Sequence, residues 1–112
     1  VVGTDPFATH NGLVVDIVKG SFGKISLQFT DFETLASKSG IRQFSAIKEP
    51  PNWYRIELDA SLFQYISLTS VTQFRLRFLL ANNHDSSADF VSFYSGDAVL
   101  DTDRPILIVE YK

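Results

Sequence analysis

The run TQFRLRF, Thr72 to Phe78, constrains the fold more than any other stretch of this chain. Its strict alternation puts Phe74, Leu76 and Phe78 on one side of an extended strand, and Gln73, Arg75 and Arg77 on the other. We expect the apolar set to face in and the arginines to face out. Two further runs follow, ADFVSFYSGDA from Ala88 to Ala98 and RPILIVEY from Arg104 to Tyr111. In the first, Val91 and Phe93 share one face, with Phe90, Ser92 and Tyr94 on the other. In the second, Ile106 to Tyr111 is almost continuously apolar, as in a strand covered on both faces. Polar loops at Ala81–Ala88 and Gly96–Asp103 join the runs. Three such segments in succession read as the closing half of an antiparallel β-sandwich.

The upstream sequence is compatible with that reading. Thr4 to Gly12 is rich in turn formers and is expected to be a loop. Leu13, Val15 and Ile17 share one strand face, and Asp16 points the other way. Thr30 and Glu33 have capping-box spacing, which predicts a short helix over Asp31–Ser37. Ile41–Ile47 reads as a strand, Glu49–Asn52 as a hard break, and Trp53–Leu58 (WYRIEL) as a second alternating run. Asp59 is placed to cap another short helix carrying Leu62, Phe63 and Ile66.

The expectation is an all-β fold, a jelly-roll-like antiparallel β-sandwich with two short helices in its connections. With 112 residues there is room for one domain, 1–112, with a small core. A jelly roll takes about eight strands, and this chain offers five or six. The chain also opens on VVGTDPF without an initiator Met. Both features lead us to expect the C-terminal part of a larger domain, its N-terminal strands missing and supplied by a complementing segment or a neighbouring chain.

Composition narrows the chemistry. Ten Phe, four Tyr and no Met suit a pleated, half-buried surface. The net charge of −3, with ten Lys and Arg dispersed along the chain, argues against a nucleic-acid binder, which needs clustered positive charge. The absence of Cys removes disulfides, thiolate metal sites and cysteine nucleophiles together. No apolar run approaches the ~18 residues that span a bilayer, so membrane insertion is not expected. His10 and His84 both fall in loops, and no nucleophile elbow, HExxH or glycine-rich phosphate loop is present. Function must be argued from a site rather than a fold, and no catalytic site is expected.

Several segments in order carry a family resemblance: L-x-V-D-I-x-x-G-x-F-G (Leu13 to Gly23), L-x-x-x-D-F (Leu27 to Phe32), TQFRLRF, ADFVSFYSGDA and RPILIVEY. Together they resemble the C-terminal two-thirds of the DNRLRE domains, which are similar to carbohydrate-binding module family 96. The resemblance implies a jelly-roll sandwich in a secreted or cell-surface protein. It also implies a non-catalytic module, with polysaccharide, including acidic polysaccharide such as alginate, as the candidate partner. The family loop before A-D-F is usually richer in Asp than the Ala81-Asn82-Asn83-His84-Asp85 found here.

Three sets of residues are candidates for such work. A ligand surface would combine an aromatic platform from Trp53, Tyr54 or Tyr94 with guanidinium groups from Arg55, Arg75 and Arg77, which suit uronate carboxylates. The alternatives are a core or edge role for Trp53 and simple surface ion pairs for the arginines, with Glu57 or Glu110 as partners. A calcium ion would need six to eight oxygens. Asn82, Asn83, Asp85 and Asp89 could supply part of that shell, or could merely stabilise turns through their own backbone. The third candidate is assembly: an incomplete sandwich leaves strand edges that recruit other strands. The competing functional reading is therefore a structural or adhesive module of a surface protein or filament, assembled by strand pairing, with no free-sugar ligand.

Overall fold

The computed structural model describes residues 4–110. Its centre is a strand made almost entirely of apolar residues, LVVDIVK at Leu13–Lys19 (β1). Strand β2 (Lys38–Gln43) and strand β3 (Thr72–Phe78) pair with it on either side, both antiparallel. The sheet order is β2-β1-β3, so the connection from β2 to β3 crosses over β1.

Register fixes what each face carries. Leu13, Val15 and Ile17 stand opposite Phe78, Leu76 and Phe74, making one apolar face. Val14, Asp16 and Val18 stand opposite Arg77, Arg75 and Gln73 on the other. The alternation of TQFRLRF therefore sorts its side chains as expected. Exposure does not follow the same division: Leu76 is 45% exposed, whereas the Arg75 side chain is only 12% exposed. The apolar face is covered over β1 but open towards the β3 edge.

That cover comes from single turns. Asp5 caps a one-turn helix, α1 (Pro6–Thr9), by accepting from the Phe7 amide at 3.0 Å, and Pro6 supplies the preset first position. The segment expected to be pure loop thus holds a helical turn. Phe7 lies edge-on to Phe78, with centroids 5.7 Å apart, and stacks on Tyr54 at 5.0 Å. Tyr54 in turn meets Phe93 at 5.8 Å. A 3₁₀ turn at Ala60–Tyr65 packs against β1 and buries Leu62. Leu13, Val14, Val15, Ile17, Phe22 and Leu62 are the buried apolar residues.

Several expected elements differ. The predicted helix over Asp31–Ser37 is a 3₁₀ turn at Phe29–Phe32, because the Asp31 carboxylate folds back onto the Gln28 amide at 2.7 Å and starts the turn earlier. Asp59 precedes its predicted turn, but its carboxylate pairs with Arg42 instead of capping. The WYRIEL run forms no strand. Trp53 closes a tight loop onto Glu49 through backbone bonds of 2.7 and 2.8 Å.

Nor do the two final runs join the sheet: Asp89 makes only an isolated bridge to Thr4. Ile106–Val109 stay 60–74% exposed with no ladder partner among the described residues, and Tyr111 lies outside them. The described residues therefore hold one three-stranded antiparallel sheet, where five or six strands were expected.

Candidate functional site

The densest polar cluster sits on the second face of the sheet, around a carboxylate in the middle of the most apolar strand. Asp16 is 0% exposed. The register sets Arg75 directly across from it and Arg77 across from Val14, two residues towards the β1 start. Arg75 gives Nε at 3.0 Å and Nη2 at 2.7 Å to Oδ2, and Arg77 gives Nε to the same oxygen at 2.9 Å. Oδ1 accepts from Arg77 Nη2 at 3.2 Å and from the Gly40 amide at 2.7 Å. That amide is free because β2 bulges: the pairing slips between Val15 and Ile17, and Gly40 has φ +57. Burial pushes the Asp16 carboxyl pKa up. The hydrogen bonds from Arg77, the Gly40 amide and Arg75 outweigh it and hold the group below its ordinary value.

Most of the Arg75 donor capacity is spent inside the fold. Its Nη1 donates to the carbonyls of Thr34 at 2.7 Å, Asp31 at 2.8 Å and Phe32 at 3.3 Å. Its guanidinium lies 4.4 Å over the Phe22 ring. The side chain thus clamps the 22–34 segment onto the sheet. The expected solvated arginine pair on β3 is in this respect corrected. Arg75 and Arg77 are held by Asp16 rather than by Glu57 or Glu110, and they organise the polar face instead of presenting it.

Arg55, Trp53 and Tyr54 occupy a different place. Tyr54 reaches the apolar face through Phe7, whereas Arg75 and Arg77 stand on the opposite face, so the sheet divides the predicted constellation. Around the Glu49–Trp53 loop the surface is still chemically mixed. Trp53 is half-buried, and the exposed Arg55 lies between Glu57 at 3.4 Å and Glu49 at 3.9 Å. Lys48 Nζ sits 5.5 Å over the Tyr54 ring. Burial, then the nearby Asp5 charge, raises the pKa of the Tyr54 hydroxyl. Tyr94 is exposed and contacts none of these groups through an aromatic pair.

The Asn82, Asn83, Asp85 and Asp89 loop does not fit a calcium shell. Asn82 Oδ1 accepts from the His84 amide at 2.8 Å, Asn83 Oδ1 from the Asp85 amide at 3.3 Å, and Asp85 Oδ1 from the Ser87 amide at 2.8 Å. The Asn83 amide nitrogen donates to both Asp85 and Asp89 at 3.0 Å, filling the space between their carboxylates. Thr9 takes the last oxygen of Asp89 at 3.0 Å. Every side-chain oxygen of the four residues accepts a hydrogen bond, one of Asp89 from Thr9 and the rest within the loop, whose turns place His84 and Ser86 at positive φ.

Thr9, His10 and Asp89 have the residue types of a nucleophile, base and orienter, but not their order in space. The Thr9 hydroxyl donates to Asp89 and lies 2.9 Å from His10 Nδ1, and Asp89 is 3.8 Å from that same nitrogen. A relay needs the two partners on opposite ring nitrogens. Here all three groups share one side and tie α1 to the 82–89 loop.

Sequence reasoning treated Asp16 only as a residue pointing away from the core. A readable signal was present: a lone carboxylate inside LVVDIV needs cationic partners, and only β3 carries two arginines at strand spacing. Glu49 and Glu57 carried no such signal. No family model matches the chain, and no curated protein or solved structure matches it. Among the described residues, no helix is long and apolar enough to cross a membrane.

Proposed function

We propose that this chain is a non-catalytic contact module of a secreted or cell-surface protein, one part of a jelly-roll-like β-sandwich, and that it binds polysaccharide through the loop spanning residues 48–57. One observation carries this reading: the Glu49–Trp53 closure holds the partly buried Trp53 in the same short loop as the solvent-facing Glu49–Arg55–Glu57 array. An aromatic face packs against the C–H face of a sugar, and carboxylate and guanidinium groups bond its hydroxyls. The resemblance of the closing runs to DNRLRE domains supports the secreted or surface setting. Electrophoresis of the chain through gels containing neutral or acidic polysaccharides tests the reading. Retardation by at least one glycan is expected, lost in Trp53→Ala and Arg55→Ala while thermal unfolding stays the same. Unretarded wild-type protein in every gel overturns it.

A second reading is supported by a separate observation, the open edge of β3 together with the unpaired Ile106–Val109 run. In it the chain is a structural or adhesive module that completes itself by strand pairing with another chain.

A further inference from the structure

The free edge of β3 lies in a trough. One cleft of about 540 Å³ is lined by the consecutive residues Thr72 to Leu76. Consecutive residues on a strand point to alternate faces, so a cleft touching all of them follows the backbone edge rather than one face. A second cleft, of about 420 Å³, continues it past Arg75 and Arg77 to Ala81. Phe32 belongs to both clefts, and Ile25 and Leu27 wall the first; all three are well exposed. The trough therefore offers unpaired backbone groups on one side and apolar side chains on the other.

The chain carries a segment of matching character. Arg104 has extended backbone angles, Pro105–Glu110 form no helix, turn or strand, and the seven residues Arg104–Glu110 match β3 in length. Ile106, Leu107, Ile108 and Val109 are apolar on both strand faces, which suits a strand enclosed on both sides. Isolated in water, four adjacent β-branched or leucine side chains form the kind of edge that pairs with another chain.

The exposed surface is large enough to seat a second copy. The chain exposes 8721 Å². A self-contained fold of 12.6 kDa exposes about 6,200 Å² by the mass scaling of monomeric proteins. The excess, about 2,500 Å², is well beyond the ~800 Å² per partner that a stable complex buries. The radius of gyration of 15.2 Å likewise exceeds the ~13 Å of a compact chain of this length. One strand added to one edge removes part of that excess, and a reciprocal exchange removes it from both chains and closes as a two-fold pair.

We propose that Arg104–Glu110 of one copy docks as a fourth strand along the free edge of β3 in a second copy, with the exchange made in both directions. The proposal rests on the strand-pairing reading above and names the segment and the edge. It is tested on the full chain by sedimentation equilibrium and by cross-linking. A dimer is expected, converted to monomer by Ile108→Lys and unaffected by Val99→Lys, which changes an equally apolar, exposed residue outside the segment. Because the chain has no Cys, a Leu76→Cys/Ile108→Cys variant gives an independent readout, with a covalent dimer expected under mild oxidation even if Ile108→Lys fails to fold. A wild-type monomer that unfolds cooperatively overturns both the exchange and the strand-pairing reading. An oligomer that forms no covalent dimer in the double-cysteine variant overturns this segment and edge alone. A covalently closed monomer overturns the exchange, because the segment then fills its own chain's trough.

Discussion

Asp16 and Arg75 face each other across the β1–β3 ladder, and the Arg75 guanidinium places Nη2 2.7 Å and Nε 3.0 Å from one carboxylate oxygen. The pair sits between the core strand and the 22–34 segment, so each partner holds the other and Arg75 also holds the loop. Removing one member of a buried pair leaves an uncompensated charge. Asp16→Ala and Arg75→Ala should each cost about 3–5 kcal/mol, measured by urea unfolding. Arg77→Ala should cost less, because its side chain is more exposed and Arg75 remains on Asp16. A loss below about 1 kcal/mol for Asp16→Ala would refute the clamp.

The same carboxylate predicts a pH dependence. The Asp16 pKa is lowered in the folded chain from an ordinary value of 3.8. A depressed carboxyl contributes stability that is present in full above its unfolded pKa and is lost as the pH falls through the folded value. The stability gap between wild type and Asp16→Asn should therefore be constant near neutral pH and shrink below about pH 4. Parallel urea titrations of the two proteins at pH 6 and pH 3 measure it, and an unchanged gap would show that Asp16 does not titrate in this way.

Calcium should leave the melting temperature of the wild-type chain unchanged, because Asn83 Nδ2 already lies between Asp85 and Asp89. Asn83→Asp replaces that donor with a third carboxylate. The variant should melt lower in chelator and recover on addition of calcium, as expected when a ligand binds only the folded state. Differential scanning calorimetry with and without calcium distinguishes the two proteins.

Gly12 has φ +96, and a Cβ there would lie within 3 Å of the Gln43 side chain. Gly12→Ala forces a left-handed backbone on an L residue at the entry to β1, with the flexible Gln43 amide moving aside, and should destabilise by about 1 kcal/mol. Gly96→Ala, where a Cβ meets nothing, serves as the control and should be nearly neutral in the same unfolding assay.

The β3 strand and its division into an apolar and an arginine face were legible in TQFRLRF, and so was the apolar face of β1. Alternation is a local property: side chains on a strand point to opposite sides whatever they meet. The candidate site was legible only in its parts. Trp53 and Arg55 could be named, but their separation from Arg75 and Arg77 by the sheet could not.

By itself, then, the sequence determined that this chain is β-rich, cysteine-free and antiparallel in character, since composition and side-chain period are written residue by residue. Tertiary structure alone decided that Arg75 and Arg77 turn onto Asp16, that Asn83 closes the 82–89 loop and that Ile106–Val109 remain without a ladder. The turn of the arginines onto Asp16 depends on a partner distant in the chain. Strand pairing and ion pairing are settled by which segments meet, and a run of residues specifies its own faces without specifying its neighbour.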